Sequence, residues 1–146
     1  MGFGNVSERR SAPPQVGVSV VILALGPKGD TGNSAADSGN AANSAHSRLW
    51  LPLVKRVRQP FLGCWALPGG DLRSDRSLEQ SAYAALESTT DLHPRYLEQL
   101  YTFGGPTRSH GGLPMVSVVY WALVGQTEAA GFEDGDNVRW FPLSLI

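Results

Sequence analysis

The 146-residue sequence predicts an α/β or α+β fold, a mixed sheet with one well-defined helix. Three observations carry the prediction. Two apolar runs rich in β-branched residues, VGVSVVILAL at 16–25 and MVSVVYWALV at 115–124, have the length and composition of strands. Helical spacing of apolar residues is clear once, over 77–89. The 17 glycines and 10 prolines belong mainly to loops, so the folded part is smaller than the chain and one domain accounts for it.

Taken in order, residues 1–15 hold Glu8, Arg9, Arg10 and Pro13-Pro14 but no apolar run. They predict a flexible N-terminal arm and do not form a secretory signal. The domain then covers 16–146, and its first strand stops at Gly26-Pro27. Residues 26–47 are almost entirely Gly, Ala, Ser, Asn and Asp, too poor in apolar side chains to offset the entropy of ordering them. They are expected to be a disordered loop insertion, which a fold tolerates because loop-closure cost grows slowly with length. Residues 48–56 (RLWLPLVKR) resume as a strand, with Pro52 marking an edge or a bulge, so the two strands make a hairpin with an inflated tip.

GCWALPGG at 63–70 reads as a short buried strand closed by a glycine turn, with Cys64 as a buried structural thiol. Ser77 caps the helix, Gln80 completes a capping box, and Leu78, Ala82, Leu86 and Thr89 line one face. Strands follow at 97–103 and 115–124. Their aromatics Tyr101, Phe103, Tyr120 and Trp121 are core residues first and base-stacking candidates second. The loop at 104–114 carries Arg108 and His110, an acidic loop spans 125–136, and 138–142 is a last strand.

Several function classes are excluded or left without support. Twelve basic against 13 acidic residues give a net charge of -1, so nothing global favours nucleic acid or an anionic membrane. One cysteine excludes an internal disulfide and a multi-cysteine zinc site, and fits a cytoplasmic location. No run approaches the ~20 apolar residues of a membrane-spanning helix. His46, His93 and His110 lack metal-ligand spacing, and no G-x-S-x-G elbow is present.

Leu53-Val54-Lys55-Arg56, followed by Pro60-Phe61-x-Gly63-x-Trp65-Ala66-Leu67-Pro68-Gly69-Gly70, resembles the lead-in to a Nudix box. That superfamily cleaves nucleoside diphosphates linked to another group, on an α/β/α sandwich with a mixed sheet. Its box is G-x5-E-x7-R-E-U-x-E-E-x-G-U, U being a bulky aliphatic residue. With the first glycine at Gly70, Leu86 and Leu92 fall on the aliphatic positions. The charged positions do not match: they hold Arg76, Ala84, Ala85, Ser88 and Thr89, and the late glycine is Asp91. In the family those glutamates share a helix face and hold Mg²⁺, an ion that needs oxygen ligands. The box charges therefore change from -3 to +1. At 100° per residue, Glu87 points away from the face of Ala85, Ser88 and Thr89.

The flanks narrow the resemblance. Leu97-Glu98-Gln99-Leu100-Tyr101-Thr102-Phe103-Gly104-x-Pro106-x-Arg108 and Val116-Ser117-Val118-x-Tyr120-x-Ala122-Leu123-Val124 are similar to the ADP-ribose pyrophosphatase-like branch. Within it they resemble the Nudix-related transcriptional regulators of NAD metabolism, whose domain ending Trp140-Phe141-Pro142-Leu143 fits. The resemblance covers about 16–143 apart from the insertion. It implies a domain that binds ADP-ribose or a related nucleotide as effector, often with a degraded box, followed by a winged helix that binds DNA. This chain ends at Ile146, where that module begins in the family. Direct DNA binding by the chain as it stands is thus not expected, whereas a homodimer is, since family members are often dimers.

The expected ligand-binding residues are Arg56, the Gly69-Gly70 backbone, Arg76, Phe103 and Arg108, with no catalytic residue, metal ion or cofactor. Arg56 is placed near the ligand phosphates by the resemblance, and a guanidinium can hold a phosphate through two parallel hydrogen bonds. Arg76 supplies positive charge to the diphosphate in place of metal, Arg108 clamps phosphate or distal ribose, and Phe103 stacks on a base. The plainer reading leaves Arg73 and Arg76 as exposed loop arginines. Two alternatives remain: an active Mg²⁺-dependent hydrolase rebuilt around Asp71 or Asp75, and a scaffold serving dimerisation alone.

Overall fold

The β-branched run near the N-terminus forms β1 (Gln15–Leu25), the centre of a mixed sheet in the computed structural model. Residues 13–25, 49–59, 61–108, 114–125 and 134–143 are described. The arm up to residue 12, the insertion at 26–47, Pro60, and the histidines His46 and His110 lie outside them. The other elements are β2 (Leu49–Lys55), β3 (Trp65–Ala66), β4 (Gly69–Asp71), α1 (Leu78–Thr90), β5 (Glu98–Phe103), a 3-10 turn (Pro106–Arg108), β6 (Met115–Val124) and β7 (Val138–Pro142). The sheet runs β3-β2-β1-β6-β5, with β4 also pairing β1 and β7 also pairing β2.

β1 and β6 run parallel from Gln15↔Met115 to Ala24↔Val124, the longest pairing of the sheet. Alternate residues of both strands, Val18, Val20 and Ile22 with Val118, Tyr120 and Ala122, join one buried cluster with Ala82 and Leu86 of α1. Leu86 is fully buried there, and covering a leucine side chain stabilises a fold by roughly 1.5–3 kcal/mol. β2 returns antiparallel to β1 at Ala24↔Trp50 and Leu25↔Leu49, the predicted hairpin.

Pro52 lies inside the ladder with β7, opposite Trp140, not on a free edge. The Lys55 N–H donates to the Asn137 carbonyl at 2.7 Å, and antiparallel alternation then makes Pro52–Trp140 a non-hydrogen-bonded pair. The nitrogen without a proton faces away from β7, in the stretch of β2 between its pairings with β1 and β3.

α1 starts as expected. Ser77 Oγ accepts from the Gln80 N–H at 3.1 Å, and Gln80 Oε1 accepts from the Ser77 N–H at 2.9 Å. Thr90, not Thr89, completes the buried face, and Asp91 ends the helix in the left-handed region at φ 50°.

Three further expectations are corrected. Gly69 and Gly70 are not a turn: they form β4, paired with Ser19 and Val18 of β1. A Cβ on Gly69 would stand 2.5 Å from the Val18 carbonyl oxygen, so the close approach of the two backbones requires glycine. Cys64 is exposed, because it sits in the tight turn between β2 and β3 where Gly63 N–H returns to the Arg56 carbonyl. Tyr101 and Phe103 are exposed as well, since β5 is the outer strand of the sheet and its six residues are all open to solvent.

Candidate functional site

β4 meets β1 only at residues 17–19, while β2 meets it at 24–25. A cavity of about 730 Å³ lies beside the first of these pairings, at residues 17–19 of β1. Gly17, Ser19, Met115 and Ser117 line it, alternate residues on the sheet face opposite the hydrophobic cluster. Lys55, Arg56 and Arg58, where the chain leaves β2, supply a cationic wall against one carboxylate, Asp71. Gly69 and Gly70 bring backbone to the lining, and Ser88 and Thr89 come from the last turns of α1.

A second cavity of about 580 Å³ shares Gly69, Gly70, Asp71 and Ser88 with the first, so the two adjoin at β4. It adds Arg73, Arg76, Ala84, Ala85 and Glu87. Arg73 pairs with Asp75 at 3.3 Å, both well exposed. The Arg76 side chain has no ion pair or hydrogen bond among the described residues, which leaves its charge available to whatever enters.

Glu87 also lines this second cavity, from a helix face other than that of Ala85, Ser88 and Thr89. Its neighbour there is Ala84, three residues earlier on the same face, and the cavity is broad enough to run from Ala85 round to that face. The positions Ala85, Ser88 and Thr89 nevertheless offer no charge. Ser88 Oγ and Thr89 Oγ1 both donate to the Ala85 carbonyl, at 3.1 and 2.6 Å, so their protons serve the helix. This donor set does not fit Mg²⁺, which takes carboxylate and other oxygen ligands in near-octahedral geometry. Among the described residues no cluster of three or more His, Cys, Asp or Glu side chains is present.

Arg108 and Phe103 meet each other. The guanidinium carbon stands 5.4 Å from the Phe103 ring centroid, within cation–π range. Arg108 Nη2 also donates to Ser117 Oγ at 3.1 Å. Neither residue lines the larger cavity, but Ser117 does, so they reach it through that hydroxyl.

Of the six expected ligand residues, Arg56, Gly69 and Gly70 thus share one cavity, Arg76 lies in its extension, and Phe103 with Arg108 stands behind Ser117. Ser117, Ser19 and Gly17 were not expected. Their signal was a hydroxyl inside each of two apolar runs, and it becomes legible once the parallel register sets Gly17 beside Ser117.

No family model matches the chain. A curated relative, the ADP-ribose pyrophosphatase of Methanocaldococcus jannaschii, is 29% identical over 94 residues, covering 64% of this chain and 55% of that protein. The chain therefore spans about half the length of the curated relative it matches. Among solved structures, the Nudix domain of Shewanella oneidensis NrtR complexed with ADP ribose is 30% identical with a TM-score of 0.63, over 97% of this chain and 80% of that one. The same organism's NrtR complexed with a 27mer DNA is 32% identical with a TM-score of 0.60, over 88% of this chain and 51% of that one.

Proposed function

This chain belongs to the Nudix superfamily, in its ADP-ribose pyrophosphatase-like branch, and from that premise we propose that it binds ADP-ribose or a related nucleoside-diphosphate derivative as an effector, without hydrolysing it. One juxtaposition carries the reading. A cavity walled by Lys55, Arg56 and Arg58 adjoins a helix face on which Ala85, Ser88 and Thr89 bring no carboxylate. The first half of that arrangement attracts a diphosphate. The second half lacks the ligands that would hold an ion to activate water.

The volume suits the ligand class, since sites for ligands of this size enclose roughly 300–1,000 Å³. The diphosphate lies against Arg56 and the exposed backbone of Gly69-Gly70, and Arg76 faces it from the adjoining cavity. A guanidinium offers paired donors to phosphate oxygens, which fixes orientation as well as charge. Occupancy then shifts the population between two conformations of the domain, and a DNA-binding segment or partner reads that shift. Support for this step comes from the NrtR structures with ADP ribose and with DNA, which are similar to this chain over most of its length. The protein is proposed to be cytoplasmic and to act as a homodimer; among the described residues no helix is long and apolar enough to cross a membrane.

Calorimetric titration with ADP-ribose, in Mg²⁺ and in EDTA, with AMP release followed on the same samples, tests the reading. Equal binding in both buffers without AMP release is expected. Mg²⁺-dependent release of AMP would replace the effector reading with hydrolysis and assign the chemistry to Asp71 and Glu87, the two carboxylates of the second cavity. No binding in either buffer would leave a scaffold.

A further inference from the structure

Ser117 is 5% exposed, near the start of β6, and lines the larger cavity. A hydroxyl has one proton and two lone pairs. A guanidinium can only donate, so the bond from Arg108 Nη2 uses a lone pair of Ser117 Oγ and leaves its proton uncommitted. Among the described residues that proton has no acceptor. A buried donor left unpaired is costly, and groups of this kind ordinarily find a partner.

The surroundings leave room for one. Ser117 pairs with Gly17 of β1, which pairs in turn with Asp71 of β4; on its other side it pairs with Phe103 of β5. Asp71, Gly17, Ser117 and Phe103 thus form one row across the sheet. Gly17 has no side chain, and it lines the larger cavity together with Ser117. A methyl on Gly17 would stand only 3.2 Å from the Met115 terminal carbon, so the flexible Met115 side chain bounds the cavity on that side. Phe103 carries the Arg108 guanidinium over its ring, which holds the donor to Ser117 in place.

Resting on the nucleotide-binding reading above, we propose that Ser117 is a ligand-contacting residue whose O–H donates to an acceptor atom of the bound nucleotide, and that Arg108 is its positioning residue, acting through Ser117 rather than on the ligand. The acceptor is a ring nitrogen or hydroxyl oxygen of the nucleoside half, or an oxygen of the distal ribose phosphate. Both present the same chemistry to a single O–H.

Titration of wild type, Ser117→Ala, Arg108→Gln and the double variant with ADP-ribose, AMP and ribose 5-phosphate, alongside thermal unfolding, tests this. Ser117→Ala is expected to weaken ADP-ribose by about three- to tenfold, the range of one hydrogen bond to a ligand, with unfolding temperature held or raised. A parallel loss for AMP places the acceptor in the nucleoside half; a parallel loss for ribose 5-phosphate places it in the distal half. Arg108→Gln is expected to weaken wild type but to have no further effect in the Ser117→Ala background, a coupling that a merely structural arginine would not give. Unchanged affinity in folded Ser117→Ala overturns the contact, and additive losses overturn the role of Arg108. Wild-type protein that binds none of the three ligands overturns the nucleotide-binding reading itself, and this inference with it.

Discussion

Replacing Arg76 by glutamate restores the residue type that the family's box carries at this position, and so tests whether positive charge here takes the place of a metal ion. Arg76 lines a cavity that adjoins the one walled by Lys55, Arg56 and Arg58. Let the diphosphate carry about two negative charges centred about 6 Å from the guanidinium. At an effective dielectric near 60, each unit pair contributes about 0.9 kcal/mol, and the reversal from +1 to -1 changes the interaction by about 3.7 kcal/mol. Screening at physiological ionic strength leaves about half of that, about 1.7 kcal/mol, which is a loss of about fifteen- to twentyfold in affinity. Arg76→Gln removes only the attraction and should cost about fourfold. At about 1 M salt the screening length shrinks to about 3 Å, and the gap between wild type and Arg76→Glu should close to about twofold. Calorimetry in EDTA at the two ionic strengths reads all of these. Equal affinities for wild type and Arg76→Glu in EDTA, or wild-type binding abolished by the chelator, would refute the reasoning.

Two further predictions concern stability. Asp91 ends α1 at φ 50°, a conformation that costs a side chain roughly 1–2 kcal/mol and glycine almost nothing; Asp91→Gly should stabilise the domain by about 0.5–1 kcal/mol in urea unfolding, net of the extra freedom glycine gives the unfolded chain, and a destabilised variant would show that the aspartate side chain holds the cap. Burial, aided by the charge of Glu79, raises the pKa of Tyr120 above its ordinary 10.0. A raised pKa means the folded state keeps its proton longer, so this contribution is intact below pH 10 and falls as pH rises through the folded value; the stability of Tyr120→Phe should decline less than that of wild type between pH 8 and pH 11, and identical declines would remove Tyr120 from the alkaline limb.

Elements with strong one-dimensional signals were legible in the sequence. The β-branched runs became β1 and β6, and Ser77 with Gln80 closed the capping box. Asp91, a departure from the box's late glycine, nevertheless adopts the left-handed angle that a glycine at this position favours. What failed depended on partners distant in sequence. Gly69-Gly70 looks like a turn until β1 is seen to run alongside it, and only then does the missing Cβ become a condition for pairing. Tyr101 and Phe103 look like core until the strand order puts β5 outermost. Ser117 was the deepest omission: a hydroxyl inside an apolar run is only a faint local signal, and it gains meaning from Gly17 and Arg108, distant from it in different degrees along the chain.

The same physics explains how one scaffold can pass from cleaving a ligand to sensing it. A bound diphosphate brings about two negative charges that must be balanced, and water will not attack it unless an ion or base activates that water. Carboxylates that recruit a divalent cation meet both needs together. On the proposed reading this chain separates them. Lys55, Arg56, Arg58 and Arg76 balance the charge directly, while Ala85, Ser88 and Thr89 leave nothing to hold the activating ion. Affinity then no longer follows the Mg²⁺ concentration, and the ligand leaves intact, so occupancy reports ligand concentration alone. An effector site needs both properties, and removing the carboxylates without adding Arg76 would supply only the second.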